Sequence, residues 1–175
     1  DRKAIGRASE VRKNGTAGFK TRPDDILIAD FEGGDYGNWT TTGDAFGTAP
    51  SKGTLPGQMT VSGFLGKGLV SSYVGRDKST GTLTSPPFQI ERPFVNFRVG
   101  GGRWKMETCI NLLIEGKVVR STTGSNPGGN KSERLEPATW NVKEVIGRKA
   151  TIQRVDSHKG GWGHINVDQI VQSNT

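Results

Sequence analysis

The sequence predicts an all-β protein, an antiparallel β-sandwich, and three observations predict it. Short apolar runs with a two-residue alternation recur along the chain, the period at which successive side chains face opposite sides of a sheet. The 26 glycines and eight prolines fall between those runs rather than in one linker, as turns do between the strands of a sandwich. No stretch carries the apolar stripe that a helix would need to reach a core.

The elements follow in order. Residues 26–31 are a short apolar run rich in β-branched residues. Residues 80–90 read as a strand broken at Pro86-Pro87, because proline cannot donate to a ladder. Residues 94–99 alternate, with Val95, Phe97 and Val99 on one face and Phe94, Asn96 and Arg98 on the other. Residues 109–114 and 118–122 flank Glu115-Gly116-Lys117 and read as a hairpin. Residues 150–155 and 165–171 complete the set. Gly100-Gly101-Gly102 follows a strand with no helix pattern after it, and reads as a close-approach turn rather than a phosphate loop. The loop 123–131, Thr-Gly-Ser-Asn-Pro-Gly-Gly-Asn-Lys, is of the kind that carries binding groups on sandwiches.

A chain of 175 residues fits one domain with its own core. The net charge of +7 suggests a nucleic-acid partner until it is located. Residues 1–22 hold seven basic and two acidic residues, which leaves only +2 for the remainder. The basicity belongs to a polar leader, residues 1–24, ahead of a module spanning 25–175, and nucleic-acid binding loses its support. The single Cys109 excludes an internal disulfide framework and is silent on secretion. No apolar run approaches membrane-spanning length.

The missing chemistry narrows the reading. Two histidines, His158 and His164, and no Gly-x-Ser-x-Gly elbow argue against a serine triad. Two histidines and one cysteine argue equally against zinc. What remains is polar recognition. Gly160-Gly161-Trp162-Gly163-His164 pairs a flat indole with a close-approach backbone, and His164, Asn166 and Asp168 then share one face of a strand. Arg120, Asn126, Glu133, Asp156, Trp162 and His164 are candidate ligand contacts, because guanidinium and carboxylate groups bind neighbouring hydroxyls in pairs and a ring covers a sugar's apolar face. Arg120 and Glu133 read equally as an exposed ion pair, and Trp162 and His164 as structural residues. Asp30, Glu32 and Asp35 near the first strand and Asp168 in the last would form an oxygen cage suited to calcium, if those strands pair. The metal expectation rests on Glu32, Asp168 and Asp30.

Ile28-Ala29-Asp30-Phe31-Glu32-Gly33-Gly34-Asp35-Tyr36-Gly37-Asn38-Trp39 resembles the opening of carbohydrate-binding module family 66. The match continues through Gly43-Asp44-Ala45-Phe46-Gly47, Gly53-Thr54-Leu55-Pro56-Gly57-Gln58, Gly63-Phe64-Leu65-Gly66-Lys67-Gly68-Leu69-Val70, Gly100-Gly101-Gly102, Val119-Arg120 and Gly160-Gly161-Trp162-Gly163-His164-Ile165. The resemblance implies a jelly-roll sandwich, galactose-binding-like, that takes the terminal fructose of fructans such as levan and inulin. It implies attachment to a secreted, bacterial glycoside hydrolase of family 32, a levanase or inulinase, in an extracellular or periplasmic setting. That hydrolase family's Trp-Met-Asn-Asp-Pro-Asn-Gly, Arg-Asp-Pro and Glu-Cys signatures are missing, since Arg76-Asp77-Lys78 lacks the proline and Glu107-Thr108-Cys109 splits the pair. Arg103-Trp104-Lys105 departs from the family pattern, and Trp104 joins the candidate sugar platform. The expectation is a non-catalytic, lectin-like module with a fructan partner. The alternatives are a glycosidase fragment with its own carboxylate pair, or a cell-wall or protein interaction module acting through the leader.

Overall fold

The computed structural model describes residues 22–128 and 131–175. Nearly all of the basic leader therefore lies outside the described residues, as do Gly129 and Asn130 of the loop 123–131. Among the described residues thirteen strands follow one another: β1 (Ile26–Ala29), β2 (Thr40–Gly43), β3 (Val61–Ser62), β4 (Val70–Ser71), β5 (Gly81–Thr84), β6 (Phe88–Gln89), β7 (Phe94–Gly101), β8 (Thr108–Ile114), β9 (Lys117–Thr123), β10 (Glu133–Arg134), β11 (Glu136–Asn141), β12 (Lys149–Asp156) and β13 (Ile165–Ser173). Short 3-10 turns lie at Arg76–Lys78 and Lys143–Val145. Among the described residues no helix is long and apolar enough to cross a membrane.

The strands form an antiparallel β-sandwich. One sheet runs β1-β13-β7-β11 with β4 also on β13, and the other runs β2-β5-β12-β8-β9 with β6 also on β12. Each expected strand is present. The stretch 80–90 splits into β5 and β6 around Pro86-Pro87, and β8 and β9 form the expected hairpin. The first and last strands pair, Leu27 opposite Val171. The first run ends at Ala29 rather than Phe31, because Phe31 takes a φ of +58° and leaves the sheet.

The inward row of β7 (Val95, Phe97, Val99) meets Ile110 and Leu112 of β8 and Ile152 of β12 in one apolar core. Each such side chain contributes about 1.5–3 kcal/mol through burial. Gly100 and Gly101 belong to β7 itself rather than to a turn, but the close approach is real. A Cβ on Gly101 would lie 2.5 Å from the His164 carbonyl oxygen, and one on Gly102 only 2.0 Å from that of Trp162. The strand end therefore packs backbone on backbone. Parallel pairing of β3 with β10 builds a smaller cluster of Val61, Leu69 and Leu135 with Phe64 against it. Ile165 and Val167 of β13 enter the main core, so Asn166 and Asp168 face the opposite side, where the loops around this second cluster bury both.

Candidate ligand-binding site

The site is built at the start of β13. His164 is clamped between two carboxylates, with Nδ1 2.6 Å from Asp77 Oδ1 and Nε2 2.7 Å from Glu133 Oε1. Asn166 Nδ2 and Gln58 Nε2 donate to the other Glu133 oxygen at 2.7 and 3.3 Å, which fixes the carboxylate plane. His164 and Glu133 are each 3% exposed at the side chain, whereas Asp77 is 32% exposed. Burial lowers the imidazole pKa, but the hydrogen bonds and charges of Asp77 and Glu133 outweigh it and push it up to about 9. Both ring nitrogens thus carry protons at neutral pH and donate to the two carboxylates. Trp162 stacks on this imidazolium at 5.7 Å and 22°, and Tyr73 meets it edge-on at 4.9 Å and 67°.

The backbone around Trp162 holds it in place. Trp162 has a φ of +58°, and the Gly163 amide donates to the Gly160 carbonyl at 2.9 Å. A Cβ on Gly163 would lie 2.2 Å from the His158 carbonyl oxygen, so only glycine fits there. Trp104 stacks on His158 at 4.5 Å and 17° and donates its indole N–H to the Gly161 carbonyl at 3.2 Å. The two tryptophans flank one turn.

Asp156 ends the inward row of β12 and is 1% exposed. Burial pushes its carboxyl up to about 7, against the Ser72 hydroxyl, the His164 charge and the His158 amide. Those two donors lie near enough to steady the charge, yet neither makes a hydrogen bond of ordinary geometry to its oxygens.

Glu133, Asp156, Trp162 and His164 thus come together, with Trp104 beside them. Asn126 is a brace at the rim: buried, it donates its side-chain amide to the Ser132 carbonyl at 2.9 Å and its backbone amide to the Gly101 carbonyl at 3.1 Å. Arg120 is separated from the cluster. Its guanidinium holds the Asn141 carbonyl and the Glu144 carboxylate. Asn141 pairs with Phe94 at the start of β7, while the His164 carbonyl accepts from Gly102 just past its end. Eight residues of strand put roughly 25 Å between them at about 3.3 Å per residue.

The carboxylates expected to form a calcium cage are otherwise engaged. Glu32 accepts the Lys67 and Gly68 amides at 2.9–3.1 Å, Asp30 accepts the Glu32 amide at 3.1 Å, and Asp168 accepts the Leu65 amide at 2.7 Å. Among the described residues no three His, Cys, Asp or Glu side chains are grouped to hold a metal ion. Sequence reasoning passed over Asp77, Tyr73 and Gln58, which belong to segments without periodic signal.

No protein-family model matches the chain. A curated protein of Aspergillus rugulosus named "Putative glycosyl hydrolase ecdE" is 43% identical over 155 residues, covering 87% of this chain and 21% of that protein. The chain thus spans about a fifth of the length of that relative. Among solved structures, the K1 cleaved adhesin domain of Lys-gingipain from Porphyromonas gingivalis W83 aligns with a TM-score of 0.54 and 16% identity, over 86% of this chain and 98% of that one. A cyclase from Fischerella sp. in its apo form aligns at 0.51 and 10% identity, over 90% and 91%. At these identities the structural likeness shows that the chain has the β-sandwich fold.

Proposed function

We propose that the chain is a non-catalytic carbohydrate-binding module that takes the terminal fructose of fructans, levan above all. In this reading it directs a secreted glycoside hydrolase of family 32, linked in cis, to its substrate. One observation carries the reading: the Trp162 indole stacks on an imidazole clamped between two carboxylates at one end of the sandwich. The half-buried Trp162 offers a ring face, and the partly open Asp77 accepts hydroxyl protons, with Tyr73 beside them. Because His164 and Glu133 are locked before ligand arrives, little ordering cost falls on binding. The name of the Aspergillus relative and the resemblance to module family 66 support the same direction. One furanose covers little area, so single-site affinity is weak and branched chains gain by multivalency.

The test is calorimetric titration of the chain with levan, inulin and fructose. Heat with levan that is lost in Trp162→Ala and Asp77→Asn is the expected result; no heat with any fructan overturns the reading.

A carboxyl that stays protonated to near neutrality, as Asp156 does, favours a second reading, a glycosidase acid. At 1% exposure it has no open path to a glycosidic oxygen, which is why binding is preferred. Release of reducing sugar from levan, abolished in Asp156→Asn, would reverse that preference.

A further inference from the structure

Three loop segments meet at the end of the sandwich where Trp162 lies: 75–79 between β4 and β5, 102–107 between β7 and β8, and 157–163 between β12 and β13. Their mutual contacts are direct. Trp104 of the second donates its indole N–H to the Gly161 carbonyl of the third and stacks on His158. The Ser157 amide donates to the Glu107 carbonyl at 2.8 Å. A Cβ on Gly163 would lie 2.8 Å from the Asp77 carbonyl oxygen, so the third segment packs on the first. Together they hold five lysines and arginines (Arg76, Lys78, Arg103, Lys105 and Lys159) against two carboxylates, Asp77 and Glu107. All five basic residues are exposed. Residues 23–175 carry only +2, so positive charge is concentrated in these loops. The buried Glu133 beneath them is offset by the His164 imidazolium.

The carboxylates of these loops are engaged and the cations are not. Asp77 faces His164 and Glu107 faces His158, whereas among the described residues none of the five cations forms an ion pair. Neighbours locate two of the cation heads. The Arg76 guanidinium lies 3.6 Å from where a Cβ of Gly57 would stand, beside the turn whose Gln58 holds Glu133. The Arg103 guanidinium covers Gly128, two residues past the rim brace Asn126. Each segment also holds one non-glycine residue in the left-handed region, Arg76 at φ +63°, Met106 at +62° and Trp162 at +58°, a conformation kept only where surroundings demand it. We propose that these loops form a cationic rim around the Trp162 site that binds an acidic polysaccharide, one whose sugar rings carry carboxylates. This goes beyond fructose recognition and does not rest on it.

Charge complementarity selects the class of ligand. Cations gathered on neighbouring loops raise the local concentration of an anion, and a guanidinium takes a carboxylate through two parallel hydrogen bonds. One exposed pair contributes little by itself, so the fit is to a polymer whose repeating charge engages several cations at once. The order of charges favours sugar over nucleic acid. Arg76-Asp77-Lys78 and Lys105-Met106-Glu107 set carboxylates among the cations, and a phosphate at every step would meet Asp77 and Glu107. A uronic acid instead offers hydroxyls that donate to those carboxylates and a single carboxylate per ring for the cations. The half-buried Trp104 and Trp162 and the exposed Met106 supply apolar surface for the ring faces.

The experiment is calorimetric titration of the full chain with polygalacturonate, with its full methyl ester and with polyglutamate, at about 50 and about 200 mM NaCl. The expected result is binding to polygalacturonate that weakens roughly tenfold between the two salt concentrations and is at least about tenfold tighter than binding to the ester or to polyglutamate. A variant reversing three exposed charges, Arg103→Glu with Lys105→Glu and Lys159→Glu, should bind polygalacturonate at least about tenfold more weakly than wild type. If that variant does not fold, Arg76→Gln with Lys78→Gln reads the same loss on another loop. No polygalacturonate heat at either salt concentration overturns the proposal. Equal binding of the ester removes the carboxylate from the recognition, and equal binding of polyglutamate removes the sugar; either result overturns it. Wild-type affinity in the charge variants assigns the binding to the basic residues 1–22 and overturns it as well.

Discussion

The His164 clamp makes stability depend on pH in a direction opposite to that of an ordinary ion-paired carboxylate. Its imidazole pKa rises from 6.5 to about 9 on folding. Below pH 6.5 the ring is charged in both states, and the attraction to Asp77 and Glu133 contributes fully. Between 6.5 and about 9 the unfolded chain loses its proton while the folded one keeps it, so stability falls as pH rises. The shift of about 2.5 units corresponds to about 3 kcal/mol at 1.36 kcal/mol per unit. His164→Gln keeps hydrogen-bonding capacity without the charge. The assay is urea unfolding of both proteins between pH 6 and 9.5, followed by tryptophan fluorescence. The gap in unfolding free energy should shrink by about 3 kcal/mol across the window. Asp156 slopes the same way, its raised pKa of about 7 removing stability as pH climbs from 3.8, and taking the difference between the two proteins removes most of that contribution. A gap that is constant or widens with pH refutes the clamp.

Three further outcomes follow from the same geometry. Asp156→Asn should match wild type near pH 4 and exceed it at pH 8.5 by on the order of 4 kcal/mol, since the amide never ionises; chemical denaturation at both pH values reads this, and a less stable variant at pH 8.5 refutes it. Gly163→Ala brings a Cβ to 2.2 Å from the His158 carbonyl oxygen; it should cost about 2–4 kcal/mol and flatten the near-UV circular dichroism of the Trp162 turn. Arg120→Ala should leave the levan Kd within about twofold, because its guanidinium serves Asn141 and Glu144 at the far end of the sandwich; a tenfold loss would return Arg120 to the site.

The strands legible in the sequence were those with an apolar row to read. β7, β8, β12 and β13 bury alternating or continuous apolar residues, and period two is the signal that burial leaves. β2 is Thr-Thr-Thr-Gly with every residue exposed, so its place at the sheet edge left no apolar mark. β11 buries only Trp140 and carries Pro137, which argues against a strand by composition. It survives as an edge, pairing with β7 alone, where a missing N–H is tolerated. The two-residue pairings of β3, β4 and β10 are made by tertiary contact rather than local preference.

The site was legible for a related reason and hidden for a different one. Trp162, His164 and Asn166 share one segment, and the glycines around them announce close backbone approach. Asp77 lies 87 residues from His164, and nothing in Arg76-Asp77-Lys78 marks it as a ligand of an imidazolium. Arg120 fails in reverse, since the chemistry suited to sugar hydroxyls carries no label for which end of a strand its side chain reaches. The inward row of β12 holds the most telling signal. Ala150, Ile152, Arg154 and Asp156 are in phase and all buried, so two ionisable residues occupy positions where the pattern calls for apolar ones. Such placement is costly unless each charge finds a partner or gives up its ionisation. Arg154 finds the faces of Phe31 and Trp39, and Asp156 keeps its proton to near neutrality. A charged residue in phase with a buried row is therefore a stronger pointer to unusual chemistry than any charged residue in a loop.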